Sequence, residues 1–296
     1  MKKSPLRIAL VQHAMGPDPY DNRIASVDGI ERAAAAGARL VILPELHASE
    51  YFCKYQDPEL FELAEPLDGP TRRQLCEAAR DFGVVVVGSI FERRAAGLAH
   101  NTALVIEADG ELAGIYRKMH IPDDPGYNEK FYFTPGDQGF QPIDTMVGRL
   151  GVLVCWDQWY PEAARLMALA GADLLIYPTA IGFDPNDQED EQLRQIDAWR
   201  TIQRSHAIAN GLPVLACNRV GFEPDHSGNG RDAEFWGHSL VLGPQGEIID
   251  EAGKEAEVLI ADIDLARSEH VRRIWPFLRD RRIDAYQDLL KRYRDR

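Results

Sequence analysis

The chain has 296 residues, of which 45% are hydrophobic and 27% are charged, a composition typical of a soluble globular protein. Its formal net charge is −14 and its basic residues are scattered, which argues against nucleic-acid binding. The first apolar run is only about five residues long, too short for a signal sequence, and no segment reaches the ~18 apolar residues that span a bilayer. We therefore expect a cytoplasmic protein that binds neither nucleic acid nor a membrane.

The first half of the chain alternates between strand-like and helix-like patterns. Short apolar runs predict strands at 7–12, 39–45 and 84–92. Helical patterns that end at a glycine cover 26–37 and 69–83. The segment 101–118 predicts a β-hairpin, with Asp109 and Gly110 as its two-residue turn.

A second round of the same order follows. Strands are predicted at 149–155, 172–178 and 212–220, and helices at 161–171 and 190–211, the latter stopped by Gly211. The segment 237–264 predicts a β-meander, and the basic stretch from Ala266 is helical or irregular, with Pro276 as a breaker. Two similar α/β halves without a linker favour a single domain over residues 1–296, a four-layer α-β-β-α sandwich.

The four cysteines restrict the chemistry. Cys53, Cys76, Cys155 and Cys217 form no Cys-x-x-Cys pair, and four cysteines in a chain of this length do not make a disulfide scaffold. Each thiol is therefore expected to be free, either as a small buried hydrophobe or as a reactive group.

Reactive side chains stand at the ends of three predicted strands. Glu45, Lys118 and Cys155 each follow an apolar run, and the carboxyl ends of strands form the crevice of an α/β sheet. A carboxylate, an ammonium and a thiol together suit acyl transfer, as a base, an oxyanion partner and a nucleophile. Taken singly, they also fit a loop acid, a solvated base and a core thiol.

Four motifs carry a resemblance to a known family. The segments VILPELHASEYF, YRKMHIP, GYNEKFYFTPGD and GVLVCWDQWYPEAARLMALAGADLLIYPTA occur in that order. They resemble the nitrilase, or carbon–nitrogen hydrolase, superfamily over nearly the whole chain. The resemblance implies an α-β-β-α sandwich and a catalytic triad of Glu45, Lys118 and Cys155, with Glu129 as a second glutamate at the site.

Within the superfamily, the chain most resembles the N-carbamoylputrescine amidase branch. That resemblance implies hydrolysis of N-carbamoylputrescine to putrescine, carbon dioxide and ammonia, in polyamine biosynthesis and without a cofactor. Relatives that act on N-carbamoyl amino acids carry arginines soon after the cysteine, where this chain has Gln158 and Trp159. This difference argues against a substrate carboxylate. Another ureide (β-ureidopropionate-like), an ω-amide or a nitrile remains the alternative substrate.

A small cationic ureide needs an acid for its ammonium and apolar walls for its chain. The loop 181–191 has five acids and no base, and we expect Asp184 or a neighbouring acid of this loop to receive the ammonium. Tyr51, Trp156 and Trp159 are candidate pocket walls, and His120 is a candidate substrate contact. The alternatives are a solvated acidic loop, core aromatics and a structural histidine.

Other classes of protein have weaker support. No Cys/His cluster with metal-ligand spacing, no phosphate-binding glycine loop and no Gly-x-Ser-x-Gly elbow occurs, so no metal or cofactor is expected. A non-catalytic scaffold of the same fold would be expected to lack a triad residue, and this chain keeps all three. The resemblance also implies a homo-oligomer, with 161–171 and the tail, about 266–296, at the subunit interface.

Overall fold

The computed structural model describes residues 5–228 and 230–294 of the chain. These residues form six α-helices and fifteen β-strands. The helices are α1 (Pro19–Ala35), α2 (Pro70–Phe82), α3 (Glu129–Tyr132), α4 (Pro161–Leu169), α5 (Glu189–Asn210) and α6 (Leu265–Ile274). The strands are β1 (Leu6–Gln12), β2 (Leu40–Ile42), β3 (Val85–Ala95), β4 (Leu98–Ile106), β5 (Leu112–Arg117), β6 (Ile143–Thr145), β7 (Gly148–Val152), β8 (Leu174–Pro178), β9 (Gly182–Phe183), β10 (Val214–Cys217), β11 (Val220–Glu223), β12 (Ala233–Trp236), β13 (Leu240–Leu242), β14 (Ile248–Glu251) and β15 (Glu257–Ile263).

Two six-stranded sheets form the centre of the molecule. The first has the order β15-β1-β2-β3-β4-β5 and the second β14-β13-β10-β8-β7-β6. In the first sheet β1, β2 and β3 are parallel, and in the second β7, β8 and β10 are parallel. A small third sheet, β11-β12-β9, lies outside this pair. Each sheet thus has a parallel centre with antiparallel edges.

The alternation of side chains along β1 shows how the layers are built. Ile8 and Leu10 face the second sheet, in a core that also contains Val152 and Ile176. Ala9 and Val11 point the other way, into the core beneath α1 and α2. Helices α4 and α5 cover the outer face of the second sheet. The α/β prediction and its α-β-β-α layering are confirmed.

Several predicted boundaries are confirmed and one connection is wrong. Gly211 ends α5 in the left-handed conformation, at φ 60°, and β4 and β5 form the predicted antiparallel hairpin. The predicted β-meander, however, divides between the sheets. β13 pairs with β14, whereas β15 crosses over and pairs with all seven residues of β1. For β15, the open edge of β1 is a longer pairing partner than β14. Ile248 and Ile249 of β14 remain exposed.

The C-terminal stretch lies against the body only in part. Helix α6 ends before Pro276, as the sequence predicts, and short 3₁₀ turns at Ile283–Ala285 and Gln287–Leu290 follow.

Over the described residues, no helix combines the length and the hydropathy needed to cross a bilayer.

Candidate active site

Cys155 lies at a tight turn between the second sheet and α4. β7 ends at Val152, and Cys155 begins a 3₁₀ turn with φ 42°, a conformation that is uncommon outside glycine. Asp157 fixes this turn, because its Oδ2 accepts hydrogen bonds from the backbone N of Val154 (2.9 Å) and the hydroxyl of Tyr116 (2.8 Å). The thiol is therefore held at the end of a buried strand by hydrogen bonds from both sheets.

A buried cluster of two carboxylates and an ammonium lies close to the thiol. Lys118 Nζ donates to Glu45 Oε1 at 2.8 Å and to Glu129 Oε2 at 2.7 Å. All three side chains are inaccessible to solvent. Asn101 Nδ2 donates to Glu45 Oε1 at 2.7 Å, and the Tyr51 hydroxyl donates to Glu129 Oε1 at 2.7 Å. These hydrogen bonds fix the position and the orientation of both carboxylates.

The electrostatics of the cluster follow from its burial. Burial raises the pKa of Cys155 well above its ordinary value; the charge of Glu45 raises it further and that of Lys118 opposes the shift. Burial, with the charge of Glu45, also raises the pKa of Glu129 from 4.5 to about 7 against the attraction of Lys118. Burial lowers the pKa of Lys118, but its two acids outweigh burial and raise that pKa well above its ordinary value. A neutral thiol thus lies beside a charged lysine.

One acceptor in this cluster is open. Glu45 Oε2 is buried and has no hydrogen-bond partner among the described residues, while its Oε1 is taken by Lys118 and Asn101. Cys155 Sγ lies 3.8 Å from the backbone O of Ala180. An unpaired carboxylate oxygen beside a neutral thiol can accept that thiol's proton, and Lys118 supplies positive charge for an oxyanion.

A cavity of about 460 Å³ opens onto the thiol. Its size suits a small organic ligand. Its wall combines aromatic residues with acids and one arginine. The lining residues are Pro122, Asp124, Pro125, Tyr127, Cys155, Trp156, Trp159, Ile181, Gly182, Asp184, Asp187, Gln195, Ala198, Arg231 and Trp236.

The structure places three of the five predicted substrate contacts on this wall. Trp156 and Trp159 are half-buried and line the cavity. Asp184 also lines it, but its carboxylate is engaged. Asp184 Oδ2 pairs with Arg231 Nη1 at 2.7 Å, and its Oδ1 accepts from the backbone N of Asn186 at 2.9 Å.

Two predicted substrate contacts lie elsewhere. His120 does not line the cavity: its Nδ1 is 2.7 Å from Asp157 Oδ1, and its ring stacks on Tyr160 with centroids 3.8 Å apart. Its backbone N also donates to Asp157, so it braces the cysteine turn. Tyr51 is 1% exposed and contacts Glu129 through its hydroxyl; it does not form a wall of the cavity.

The buried position of Gln158 means that this residue does not argue against a substrate carboxylate. Gln158 is fully buried, and its Oε1 accepts from Trp199 Nε1 and Gln203 Nε2, each at 2.8 Å. It therefore faces the core beneath α5, away from the cavity. Gln158 and Trp159 occupy the positions at which relatives that act on N-carbamoyl amino acids carry arginines. Of these two residues, only Trp159 lines the cavity and can affect which substrate it binds.

The comparison with known proteins identifies the family. The family model described as "Carbon-nitrogen hydrolase" matches residues 7–273. The chain belongs to the carbon–nitrogen hydrolase family. The chain is 44% identical over 288 residues to the N-carbamoylputrescine amidase of Solanum tuberosum, covering 96% of this chain and 94% of that protein. It is 38% identical to the citrullinase of Francisella tularensis, covering 97% and 99% respectively.

A solved structure resembles this carbon–nitrogen hydrolase over its full length. The crystal structure of a carbon–nitrogen hydrolase from Helicobacter pylori G27 superimposes with a TM-score of 0.95 at 53% identity. The match covers 98% of this chain and 99% of that one. The chain is therefore an enzyme of this family in sequence and in fold.

Sequence reasoning missed two buried residues of this hydrolase. Arg219 is fully buried, and its Nη2 donates to the backbone O of Glu45 (2.6 Å) and of Leu46 (3.0 Å), which holds the loop that presents Glu45. Arg219 follows the end of β10, so the strand-end rule that selected Cys155 also applied to it. Asp157 lies two residues after the thiol, and nothing in its spacing distinguished it from a surface acid.

Proposed function

We propose that this carbon–nitrogen hydrolase cleaves N-carbamoylputrescine to putrescine, carbon dioxide and ammonia, a step of polyamine biosynthesis. The proposal combines the 44% identity to an N-carbamoylputrescine amidase with the content of the cavity. The wall of that cavity carries three acids against one base, which favours a cationic ligand. Its tryptophans suit the aliphatic chain between the ureide and the ammonium.

In the proposed first half-reaction, Cys155 is the nucleophile. Glu45 Oε2 takes the thiol proton, and the sulfur attacks the ureide carbon. Lys118 stabilises the negative charge that develops on the ureide oxygen. As the carbon–oxygen double bond re-forms, one carbon–nitrogen bond breaks, and Glu45 returns the proton to the leaving nitrogen. The product is a thioester on Cys155.

Water completes the proposed reaction. Glu45 takes a proton from the water, whose oxygen attacks the thioester carbon, and the carbon–sulfur bond then breaks. The sulfur regains a proton from Glu45, and a carbamic acid leaves. That acid decomposes to carbon dioxide and the remaining nitrogen compound. We propose that Glu129 orients Lys118, since the two atoms are 2.7 Å apart.

The observation that carries this proposal is the buried cluster next to Cys155, which itself lines the cavity. In this buried site, the open Glu45 Oε2 is the base and the neutral thiol is the nucleophile. Lys118 is the oxyanion partner. A scaffold protein has no need of two buried carboxylates on one ammonium, because desolvating charges is costly.

A colorimetric ammonia assay on a panel of ureides, amides and nitriles tests the function. We expect N-carbamoylputrescine to be the best substrate by kcat/KM, and a Cys155→Ser variant to be inactive. Faster turnover of an ω-amide, a nitrile or β-ureidopropionate would replace the proposed substrate. Full activity after alkylation of Cys155 would overturn the mechanism.

One observation favours a second candidate substrate, a ureido amino acid such as citrulline. Arg231 lines the cavity with a side chain that is 54% exposed, and the pair that it makes with Asp184 could exchange for a substrate carboxylate. The 38% identical citrullinase points the same way. L-citrulline therefore belongs in the substrate panel. We expect its kcat/KM to be lower than that of N-carbamoylputrescine, because Asp184 already neutralises the arginine.

We further propose a homo-oligomer in which α4 and the C-terminal tail meet a second copy. Leu166 and Leu169 on α4 are 44% and 48% exposed, and Trp275 and Leu290 of the tail are 52% and 94% exposed. Unpaired apolar side chains on neighbouring surface elements are typical of subunit interfaces. Analytical ultracentrifugation is expected to show an oligomer that Leu166→Glu dissociates; a monomeric wild type would refute this.

The cysteines support a reducing compartment, and we propose the cytoplasm. All four are unpaired, and three of them are buried. Fractionation of cells that express the full chain tests this, with recovery in a secreted or membrane fraction as the contrary result.

A further inference from the structure

The wall of the cavity carries several charged side chains. Asp124, Asp184 and Asp187 line it, with Arg231 as its one base among the described residues. The proposed substrate ends in an ammonium, which needs an acid partner when water is excluded. The three acids differ in how much of their negative charge is already neutralised.

Asp184 is the least available of the three. Its Oδ2 accepts from the Arg231 guanidinium at 2.7 Å. Its Oδ1 accepts from both the backbone N and the side-chain Nδ2 of Asn186, each at 2.9 Å. The hydrogen bonds from Asn186, together with the charge of Arg231, hold the pKa of Asp184 below its ordinary range. A substrate ammonium would have to displace a bound guanidinium to reach it.

Asp187 is available. It is half-buried, and Gln195 Nε2 donates to its Oδ2 at 2.9 Å, which orients the carboxylate. Its backbone N donates to the Asp184 carbonyl at 2.9 Å, so the turn that presents it is closed. No ion pair and no hydrogen bond to Oδ1 is present for Asp187 in ranges 5–228 and 230–294. Asp124 is exposed to solvent, where an ion pair contributes little.

We propose that Asp187 binds the distal ammonium of the substrate and selects a cationic ureide, an inference that rests on the proposed function. Gln195 holds one carboxylate oxygen and leaves the other to the ligand. The substrate spans six bonds from its carbonyl carbon to its ammonium nitrogen, or roughly 7 Å when extended at the pitch of a polypeptide. The cavity of about 460 Å³ contacts both Cys155 and Asp187, and Trp236 lies on the same wall.

Paired substrates separate this role from general damage. Steady-state kinetics would compare N-carbamoylputrescine with N-butylurea, a neutral ureide with the same carbon chain, on the wild type, Asp187→Asn and Asp184→Asn. Asp190→Asn is the matched control, because Asp190 lies three residues after Asp187 in the first turn of α5, is exposed and pairs with Arg194. We expect Asp187→Asn to lower kcat/KM for N-carbamoylputrescine about 10- to 100-fold, mainly through KM.

The same variant should change kcat/KM for N-butylurea less than about threefold, and Asp187→Glu should recover part of the lost activity, since it restores the charge. An equal loss on both substrates would overturn the assignment. A charge-specific loss in Asp184→Asn alone would move it to Asp184. A wild type that does not cleave N-carbamoylputrescine would refute the proposed function itself.

Discussion

Glu129 provides a test of the buried cluster that does not depend on the substrate. Its carboxylate is inaccessible to solvent and contacts Lys118 and Tyr51. Burial and the neighbouring Glu45 raise its pKa from 4.5 to about 7. Since this pKa is raised in the folded protein, the folded form retains a proton between pH 4.5 and 7 that the unfolded chain has lost. The contribution of that proton to the free energy of unfolding is fully present below pH 4.5 and is lost as the pH rises through 7.

The size of the effect follows from the shift. At about 1.36 kcal/mol for each pH unit, the rise from 4.5 to about 7 corresponds to roughly 3 kcal/mol. In Glu129→Gln the group cannot titrate. We therefore expect the free energy of unfolding of the wild type, relative to that of Glu129→Gln, to fall by about 3 kcal/mol between pH 4.5 and pH 8. Urea denaturation at half-unit pH steps measures both proteins.

Glu31→Gln is the matched control, because Glu31 is an exposed acid on α1, outside the site and outside the proposed subunit interface. Its stability should run parallel to that of the wild type across the same pH range. Parallel curves for Glu129→Gln and the wild type would refute the reasoning, since they would mean that Glu129 titrates alike in the folded and unfolded chains. A difference that grows with rising pH would show the opposite sign and contradict it as well.

Three further outcomes are expected from contacts in the site. Cys155→Ser should lower kcat by about 10³-fold or more in the ammonia assay; substantial residual activity would contradict the proposed nucleophile. Tyr51→Phe removes one hydrogen bond from Glu129 and should lower kcat about tenfold with a smaller change in KM, and an effect on KM alone would count against this. Arg219→Met removes the nearer of two cations from buried Glu223, 2.8 Å from Arg219 Nη1, and leaves only Lys54 Nζ at 3.8 Å; it should cost about 3 kcal/mol in urea denaturation, and wild-type stability would be the contrary result.

The fold was largely predictable because its determinants are local. Apolar periodicity marked the strands, and Gly83 and Gly211 marked the ends of α2 and α5, where both adopt the left-handed conformation. The destination of β15 was not predictable in this way. Its apolar pattern suits an antiparallel partner in either sheet, and the choice depends on the free edge of β1, more than 240 residues earlier in the chain.

The same distinction between local patterns and partners that are distant in sequence applies to the site. Strand ends indicated Glu45, Lys118 and Cys155. Glu45 and Lys118 follow β2 and β5, which run in the same direction in the first sheet, and Cys155 follows β7 in the second sheet. The pairing of Asp184 with Arg231 joins residues 47 positions apart on two loops, and no pattern in either loop predicts it. For that reason the sequence named Asp184 before its neighbouring acids, whereas among the described residues it is Asp187 that has no ion pair.

The composition of the buried cluster also explains why one lysine is held by two acids. In the proposed mechanism, the proton of Cys155 moves to Glu45, so the negative charge passes from carboxylate to sulfur and then to the ureide oxygen. The total charge of the enclosed site does not change, and no step creates a new unpaired charge in a low-dielectric interior. Above about pH 7, where Glu129 is ionised, it stays paired with Lys118 throughout, at 2.7 Å in the resting site. Lys118 therefore keeps a partner when Glu45 is protonated, and its ammonium remains in place for the oxyanion.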